Sequence, residues 1–283
     1  MLPPFQVITP KNIHEASVEL RRLGEKAIVY AGGAELVLLL RFGMIHPEYL
    51  VNVKRTPGLN EIAWNGETVQ IGATITHHRL ETDPVIREHL PLLAAAESQI
   101  ANIRVRSQGT LGGNLCFNDP HSDPGTALLV YDTSVRLANE HHRREMPVGE
   151  FLVGMYSTAL EPGELLENVL IKPLPKGWGT SYLRVHHHQR PTLNVGVAAK
   201  IKDGTVEQAR LAVGCVGPIP RRLSELEMKI KGLTIDDAKR VISESKSYLY
   251  NLLEPVEDIL GSVNYKLYMT GVLLNRGLSR ASA

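Results

Sequence analysis

The opening of the chain alternates between helical and extended patterns of apolar residues. The apolar positions between Ile13 and Leu23 follow an approximate helical stripe, with Asn12 placed to cap its start and Gly24 to end it. The elements predicted for this part are a helix over 12–23, a strand over 27–30, a helix over 34–42 and a strand over 49–53. We expect these residues, about 1–55, to form a first subdomain.

From Glu61 onward the pattern changes to shorter strands. Residues 59–64 and 68–71 are predicted to pair as a hairpin, because Asn65 and Gly66 between them both tolerate positive φ. Further elements predicted here are helical structure over 84–103, a buried helix over 124–131 and a strand over 134–138. We expect residues 56–175 to form a second subdomain.

Prolines, a glycine and charged residues at 172–177 indicate a domain boundary. The elements beyond it are strands over 180–185, 195–201 and 206–213, and mostly helix from Arg221. The sequence therefore predicts an α+β protein in two domains, 1–175 and 178–283. The second domain is expected to hold a three-stranded antiparallel sheet with helices.

Composition narrows the function classes. The formal net charge of the 283-residue chain is +1, which gives no general attraction for nucleic acid or anionic membrane. No apolar stretch reaches the roughly 18 residues that a membrane span needs, and the N-terminus lacks a signal-peptide pattern. Cys116 and Cys215 are too few to hold an iron–sulfur cluster and are expected to be buried free thiols. We therefore expect a cytoplasmic protein without a membrane span.

Two glycine-rich segments, each predicted to be a turn or loop, are the sharpest feature of the sequence. They are Ala31-Gly32-Gly33-Ala34-Glu35-Leu36 and Gly109-Thr110-Leu111-Gly112-Gly113-Asn114. Glycine allows backbone N–H groups to approach an anion closely, and the first segment also leads into a predicted helix N-terminus. Two such segments in one domain suit a pyrophosphate held from two sides. Packing between strand and helix is the alternative reason for the glycines, and local pattern does not choose between them.

The sequence motifs typical of other nucleotide-binding and catalytic sites are missing. The chain has no GxGxxG in a βαβ unit, no P-loop, no GxSxG elbow and no HExxH motif. The run 118–124 is rich in side chains that can bind ribose or flavin edges, and it is equally well explained as a turn that caps the helix at Pro124. The triplet 186–188 of histidines lacks partners at ligand spacing, so no metal site is predicted.

The motifs AGGAEL, IGATITH and TLGGNLCFNDPHSD, in this order and spacing, resemble the FAD-binding medium subunit of the carbon monoxide dehydrogenase and xanthine dehydrogenase type of molybdenum hydroxylase. The stretch 209–222 is similar to the same family's C-terminal domain. The likeness covers essentially the whole chain. It implies an FAD domain with the two-lobed fold of vanillyl-alcohol oxidase and p-cresol methylhydroxylase, plus a small C-terminal domain.

The resemblance also implies residue roles. Residues 31–36, Thr110, Gly113 and Asn114 are expected around the pyrophosphate, Asp123 on the adenosine ribose side, and Leu165 and Leu166 along the flavin. Arg184 falls where many relatives carry a lysine near the flavin. The full set of expected FAD-binding residues is Ala31, Gly32, Gly33, Ala34, Glu35, Leu36, Thr76, Thr110, Gly113, Asn114, Asp119, Asp123, Leu165, Leu166 and Arg184.

By the same resemblance, FAD is bound noncovalently in an oxidoreductase complex. The molybdenum cofactor is expected only on a large partner subunit and the [2Fe–2S] clusters only on a small one, in a dimer of heterotrimers. The flavin would pass electrons from the iron–sulfur subunit to NAD or another acceptor. One alternative is a stand-alone FAD-dependent oxidase or reductase of the same fold, and another is a module that has lost FAD.

Overall fold

The computed structural model describes residues 3–187 and 190–282. Its first part is a three-stranded parallel sheet with strand order β1-β3-β2, flanked by helices. The elements are β1 Gln6–Ile8, α1 Ile13–Leu23, β2 Ala27–Tyr30, α2 Leu36–Arg41 and β3 Tyr49–Asn52. The side chain of Asn12 accepts a hydrogen bond from the N–H of Glu15, which confirms its predicted role as a cap. The helix predicted at 34–42 begins only at Leu36, because Gly33 has a φ of +82° and the next two residues form a turn.

The second part is an antiparallel sheet of order β4-β5-β10-β6-β7, with helices packed against it. Its elements up to the second glycine segment are β4 Ile62–Trp64, β5 Val69–Gly72, α3 His77–Thr82, α4 Pro84–His89, α5 Pro91–Glu97, α6 Ile103–Gln108 and α7 Leu111–Phe117. Those that follow are α8 Pro124–Val130, β6 Asp132–Ala138, β7 Arg143–Pro147, α9 Val148–Phe151, β8 Leu152–Gly154, β9 Ser157–Thr158 and β10 Leu165–Lys172. The predicted hairpin is confirmed.

Two predictions in this part need correction. The helix predicted over 84–103 is interrupted, because Leu90 precedes Pro91 and takes a non-helical ψ of 53°. It then ends at Glu97, and Asn102 caps a new helix with its side chain. The second glycine segment is not a loop: Thr110 caps a helix whose first turn contains Gly112 and Gly113.

The third part is an antiparallel sheet of order β11-β12-β13-β14, covered by helices. Its elements are β11 Gly179–His187, β12 Arg190–Lys202, β13 Thr205–Gly214, β14 Arg221–Arg222, α10 Ser224–Ile230, α11 Ile235–Glu244, α12 Lys246–Leu253 and α13 Val263–Ala281. The three predicted strands are present and longer than expected. A fourth strand of two residues lies where helix was predicted to begin.

Three groups of buried apolar side chains hold these parts together. One lies around β3 and α1, one fills the space between the second sheet and its helices, and one lies between the third sheet and α10–α13. The second group also includes Tyr182, Ala198 and Ala212 from the third sheet. The C-terminal sheet is therefore packed directly against the helices of the second part. No helix among the described residues has the length and apolar character to cross a membrane.

Candidate functional site

A cavity of about 510 Å³ lies where the three parts meet. Its walls come from the first glycine loop, the start of α7, the loop 118–123 and the first residues of β10 and β12. This volume lies within the range of roughly 300–1,000 Å³ that is usual for cofactor and ligand sites. Most of the wall is apolar, and its polar groups are concentrated on the loops.

Most of the residues predicted to bind FAD come together at this cavity. Those that line it are Ala31, Gly32, Gly33, Ala34, Glu35, Leu36, Thr110, Gly113, Asn114, Asp119, Asp123, Leu165 and Leu166. The first and last of these residues, Ala31 and Leu166, are 135 positions apart in the chain. Folding therefore assembles one site from the separate motifs.

Thr76 and Arg184 do not line the cavity. The Thr76 hydroxyl accepts a hydrogen bond from the N–H of Arg79 at 3.2 Å and so caps α3. Arg184 donates to the carboxylate of Asp123 at 2.7 Å, and both side chains are about 95 % buried. Capping of α3 therefore explains the Thr76 side chain. Arg184 is connected to the cavity only through its contact with Asp123.

The first glycine loop lines the cavity, and its backbone N–H donors are free. No described residue accepts a hydrogen bond from the N–H groups of Gly32, Gly33, Ala34 or Glu35. Four successive unpaired N–H groups on a concave wall form a site suited to an anion. Since α2 has only six residues, its dipole adds little, and the loop N–H groups are the feature that fits a pyrophosphate.

Two glycines in this loop are required by its geometry. A Cβ on Gly32 would lie 2.2 Å from the carbonyl oxygen of Gln108 and 2.9 Å from the Cα of Gly109. Gly33 has a φ of +82°, which side chains rarely tolerate, and a Cβ there would meet the ring of Tyr30. The first glycine segment therefore packs backbone-to-backbone on the second.

Most N–H groups of the second glycine segment already have acceptors in the protein. Those of Gly109, Leu111 and Gly112 donate to the backbone oxygens of Val105, Ile75 and Ala73. The N–H of Gly113 donates to the Thr110 hydroxyl at 3.1 Å, and the N–H of Asn114 donates to the Thr110 carbonyl. A Cβ on Gly112 would lie 2.5 Å from the Cβ of Ala73, so packing explains this glycine. This segment contributes surface and side chains to the cavity rather than a second row of free N–H groups.

Asp123 connects the cavity wall to the C-terminal sheet. Its carboxylate accepts hydrogen bonds from the Tyr182 hydroxyl at 2.6 Å, from Asn194 at 3.3 Å and from Arg184. Burial raises the pKa of the Asp123 carboxyl, and the charge of Arg184 together with these hydrogen bonds opposes that rise. A carboxylate has about four acceptor positions, so about one is left for a ligand.

Several cavity residues were not found from the sequence. His77 lines the cavity, and its Nδ1 lies 2.6 Å from a carboxylate oxygen of the buried Glu97. Arg190 lines it as well and donates to Asp119, 71 residues away in the chain. His121 is the third. The contact of Arg190 joins distant segments, so local pattern carries no signal for it. His121 lies in the run 118–124, which the sequence already indicated as able to bind ribose or flavin edges. The motif that contains His77 was the available signal for that residue.

The two cysteines of the chain differ in how deeply they are buried. Cys215 is buried as expected, whereas Cys116 is half-buried and lines the cavity. Burial raises the pKa of the Cys116 thiol to about 12, so it is protonated near neutral pH. Among the side chains that the structure describes, no three metal-ligating groups cluster. The histidine side chains of the triplet 186–188 are not among those described.

Comparison with known proteins agrees with this geometry. Residues 3–175 match the family described as the FAD-binding domain in molybdopterin dehydrogenase, and residues 181–281 match the CO dehydrogenase flavoprotein C-terminal domain. The medium chain of carbon monoxide dehydrogenase from Hydrogenophaga pseudoflava is 30% identical, over 100% of this chain and 99% of that protein. The nicotine 6-hydroxylase medium subunit of Paenarthrobacter nicotinovorans is 29% identical, over 100% and 99%.

Solved structures show the same fold. Carbon monoxide dehydrogenase from Hydrogenophaga pseudoflava, in a form lacking the Mo-pyranopterin moiety of the molybdenum cofactor, superposes with a TM-score of 0.94 at 30% identity, over 100% of this chain and 98% of that one. Quinoline 2-oxidoreductase from Pseudomonas putida 86 has a TM-score of 0.91 at 26% identity, over the same shares. The predicted α+β fold class is thereby confirmed. This chain belongs to the family of FAD-binding medium subunits of molybdenum hydroxylases of the carbon monoxide dehydrogenase type, which are oxidoreductase subunits.

Proposed function

We propose that this chain binds FAD noncovalently in the cavity and transfers electrons between an iron–sulfur subunit and a terminal acceptor. The observation that carries the proposal is the run of four unpaired N–H groups at 32–35 on the cavity wall. In this proposal these groups receive the two phosphates, as the motif resemblance implies. Leu165 and Leu166 supply buried apolar wall for the flavin ring.

The remaining polar groups have complementary roles in this proposal. Asn114 and Thr110 offer side-chain donors beside the phosphates, and Asp119 lies on the loop that closes the site. Asp123 uses its free acceptor position for a ribose hydroxyl, while Arg184 balances its charge from behind. Arg184 is therefore a positioning residue here, rather than a group that contacts FAD.

Bound FAD supplies chemistry that the chain's own residues lack, since it accepts electrons singly and releases them in pairs. The protein binds the cofactor, orients it and excludes water from most of its surface. With two cysteines, this chain cannot ligate a [2Fe–2S] cluster alone. We therefore assign the clusters to a small partner subunit and the molybdenum cofactor to a large one, in a dimer of heterotrimers.

Exposed apolar side chains beside the cavity support a partner surface. Leu36 and Leu39 of α2 line the cavity, and the turn that follows this helix exposes Phe42 by 76% and Met44 by 68%. Large exposed apolar residues at such a position are typical of a protein interface. We propose that the iron–sulfur subunit covers them and brings its cluster towards the flavin.

We also propose the division of the chain that the sequence predicts, with domains at 1–175 and 178–283 and subdomains meeting near residue 55. A cytoplasmic location likewise stays a prediction. It agrees with Cys116 and Cys215 both being free thiols, which a reducing compartment maintains.

The cofactor proposal is tested by visible absorption. The purified chain is expected to retain flavin bands through desalting and to release FAD when denatured, because the cofactor is held without a covalent bond. Apo protein titrated with FAD should bind one equivalent. A chain that stays colourless both alone and when purified with its partner subunits would refute the proposal.

The electron-transfer role is tested by following the flavin spectrum anaerobically. We expect the reduced iron–sulfur subunit to bleach the flavin, while organic substrates without partner subunits leave it oxidised. Bleaching by substrate with the isolated chain would instead support the stand-alone oxidase or reductase. NAD and other acceptors can then be compared for reoxidation.

A further inference from the structure

Asn194 is a fully buried polar side chain in the C-terminal sheet. It lies on β12, and its neighbours across the sheet are Arg184 on β11 and Gly214 on β13. Its side-chain nitrogen donates to the backbone oxygen of Ser122 at 3.1 Å and to the Asp123 carboxylate at 3.3 Å. One side chain of the C-terminal part thus holds two consecutive residues of the cavity wall.

The amide group of Asn194 has only one satisfactory orientation. The backbone oxygen of Ser122 can only accept a hydrogen bond, so the amide atom that faces it must be the nitrogen. The amide oxygen then faces the hydroxyl of Thr126, which donates to it at 2.7 Å. Thr126 lies on α8 and is also fully buried. The Thr126 hydroxyl therefore fixes the direction in which Asn194 donates.

The sheet packs on α8 closely enough that this contact requires glycine at position 214. A Cβ on Gly214 would lie 2.1 Å from the hydroxyl oxygen of Thr126 and 2.6 Å from the amide oxygen of Asn194. The φ of Gly214 is not in the left-handed region, so close packing is the reason for glycine here. The contact between Thr126 and Asn194 is thus part of how the C-terminal sheet meets the FAD-binding part.

The donors around Asp123 leave one acceptor position open on its carboxylate. Oδ1 accepts from the Tyr182 hydroxyl at 2.6 Å and from Asn194, and these two donors occupy both of its lone pairs. Oδ2 accepts from Arg184 at 2.7 Å, and no other described residue donates to it. The open position on Oδ2 is therefore the one that can accept from a ligand.

We infer that Asn194 is a positioning residue, which holds Asp123 and the Ser122 backbone so that Oδ2 of Asp123 presents this open position to the cavity. Without Asn194, one lone pair of Oδ1 would be free and the carboxylate could turn. The inference deepens the proposed function and rests on it, because the ribose of FAD is the group that Asp123 is proposed to bind. It gives the C-terminal part a direct role in FAD affinity, although among the described residues only Arg190 and Pro191 of that part line the cavity.

The first test replaces Asn194 with leucine, which has a similar size and no polar side-chain atoms. We expect the dissociation constant of FAD, measured by titration of the folded full chain, to rise about tenfold, the order of one hydrogen bond to a charged group. The same substitution is then made together with Asp123→Asn. If Asn194 acts through the Asp123 carboxylate, Asn194→Leu should raise the dissociation constant little further in that background. An equal rise in both backgrounds would overturn the inference.

The second test is Thr126→Val, which keeps the shape of the side chain and removes the hydroxyl that orients Asn194. Thr270→Val is the matched control, because Thr270 is also fully buried in a helix and its hydroxyl donates to the Lys266 backbone oxygen within α13. Both variants should lose similar stability, but only Thr126→Val is expected to weaken FAD binding, by roughly threefold to tenfold. Equal affinities of the two folded variants would contradict the inference, and this comparison decides the matter if the leucine variants do not fold.

Failure of this inference and failure of the proposed function give different results. Unchanged FAD affinity in both Asn194→Leu and Thr126→Val would rule out the positioning role and leave the proposed function intact. Absence of FAD binding by the unmodified chain and by its complex would refute the proposed function itself.

Discussion

Replacing Gly32 with alanine is expected to remove most of the FAD affinity. The added Cβ would lie 2.2 Å from the Gln108 oxygen, a distance that real Cβ contacts essentially never show. Because this oxygen belongs to the backbone, it cannot turn aside as a flexible side chain could. The two glycine segments must therefore separate, and the four free N–H groups move with the first segment. Loss of two hydrogen bonds to a charged phosphate, at about 1.5–3 kcal/mol each, raises the dissociation constant at least about a hundredfold.

The measurement is an FAD titration by absorbance or fluorescence on folded protein. The matched control is Gly271→Ala, since a Cβ there meets nothing within 4 Å in α13. That variant should bind FAD normally and gain up to about 1 kcal/mol of helix stability. Folded Gly32→Ala protein with unchanged affinity would show that the spacing of the two segments does not set the FAD site.

Should Gly32→Ala fail to fold, the same claim is tested by Glu35→Pro. Proline deletes one unpaired N–H, and the φ of −87° at this position is close to the value that its ring imposes. Glu35→Ala is the control, because it removes the same side chain but keeps the N–H. Only the proline variant is expected to weaken FAD binding, and equal affinities would contradict the role of this donor.

Arg184→Met is expected to destabilise the protein by about 3–5 kcal/mol, because it leaves the Asp123 carboxylate buried without its cation. Both side chains of this pair are about 95 % buried, so water cannot replace the guanidinium. The measurement is the free energy of unfolding from urea titration of the full chain. Adding Asp123→Asn to Arg184→Met should recover part of the loss, since the uncompensated charge is then gone.

Arg136→Met is the matched control for this prediction. Arg136 pairs with Glu145 at 2.8 Å, but both side chains are substantially exposed. Such pairs contribute about 0–1 kcal/mol, so this variant should be nearly neutral. An equally small effect at Arg184 would contradict the view that the ion pair joins the cavity wall to the C-terminal sheet.

Local signals predicted most of the elements correctly, and the errors have identifiable causes. The cap at Asn12 and the Asn65-Gly66 hairpin depend on neighbouring residues alone, so the sequence contains their whole explanation. The helix predicted over 84–103 was too long because the effect of Pro91 on Leu90 was not weighed. Strand β10 was missed because Glu167 and Asn168 interrupt its apolar run, although both are buried in the folded chain.

For the candidate site, too, the motifs predicted one part correctly and missed another. Thirteen of the fifteen residues that the motifs predicted to bind FAD line the cavity, but the motifs treated the two glycine segments as equivalent. The structure separates them, because most N–H groups of the second segment already donate, either to Thr110 or to backbone oxygens of neighbouring segments such as Ile75 and Ala73. Whether an N–H is free depends on which acceptors fold next to it, and glycine spacing carries no information about that.

The sequence by itself determined the order of most helices and strands, the glycine positions and, through its motifs, the family and its cofactor class. Only the tertiary structure decided which donors remain free, and that Asp123 is bonded to Arg184, 61 residues further along the chain. It also decided that His121 lies between Pro191 and Asp258. Hydrogen bonds and ion pairs act over about 3 Å of space. The partners of a polar group are therefore set by packing between segments that the chain order keeps far apart.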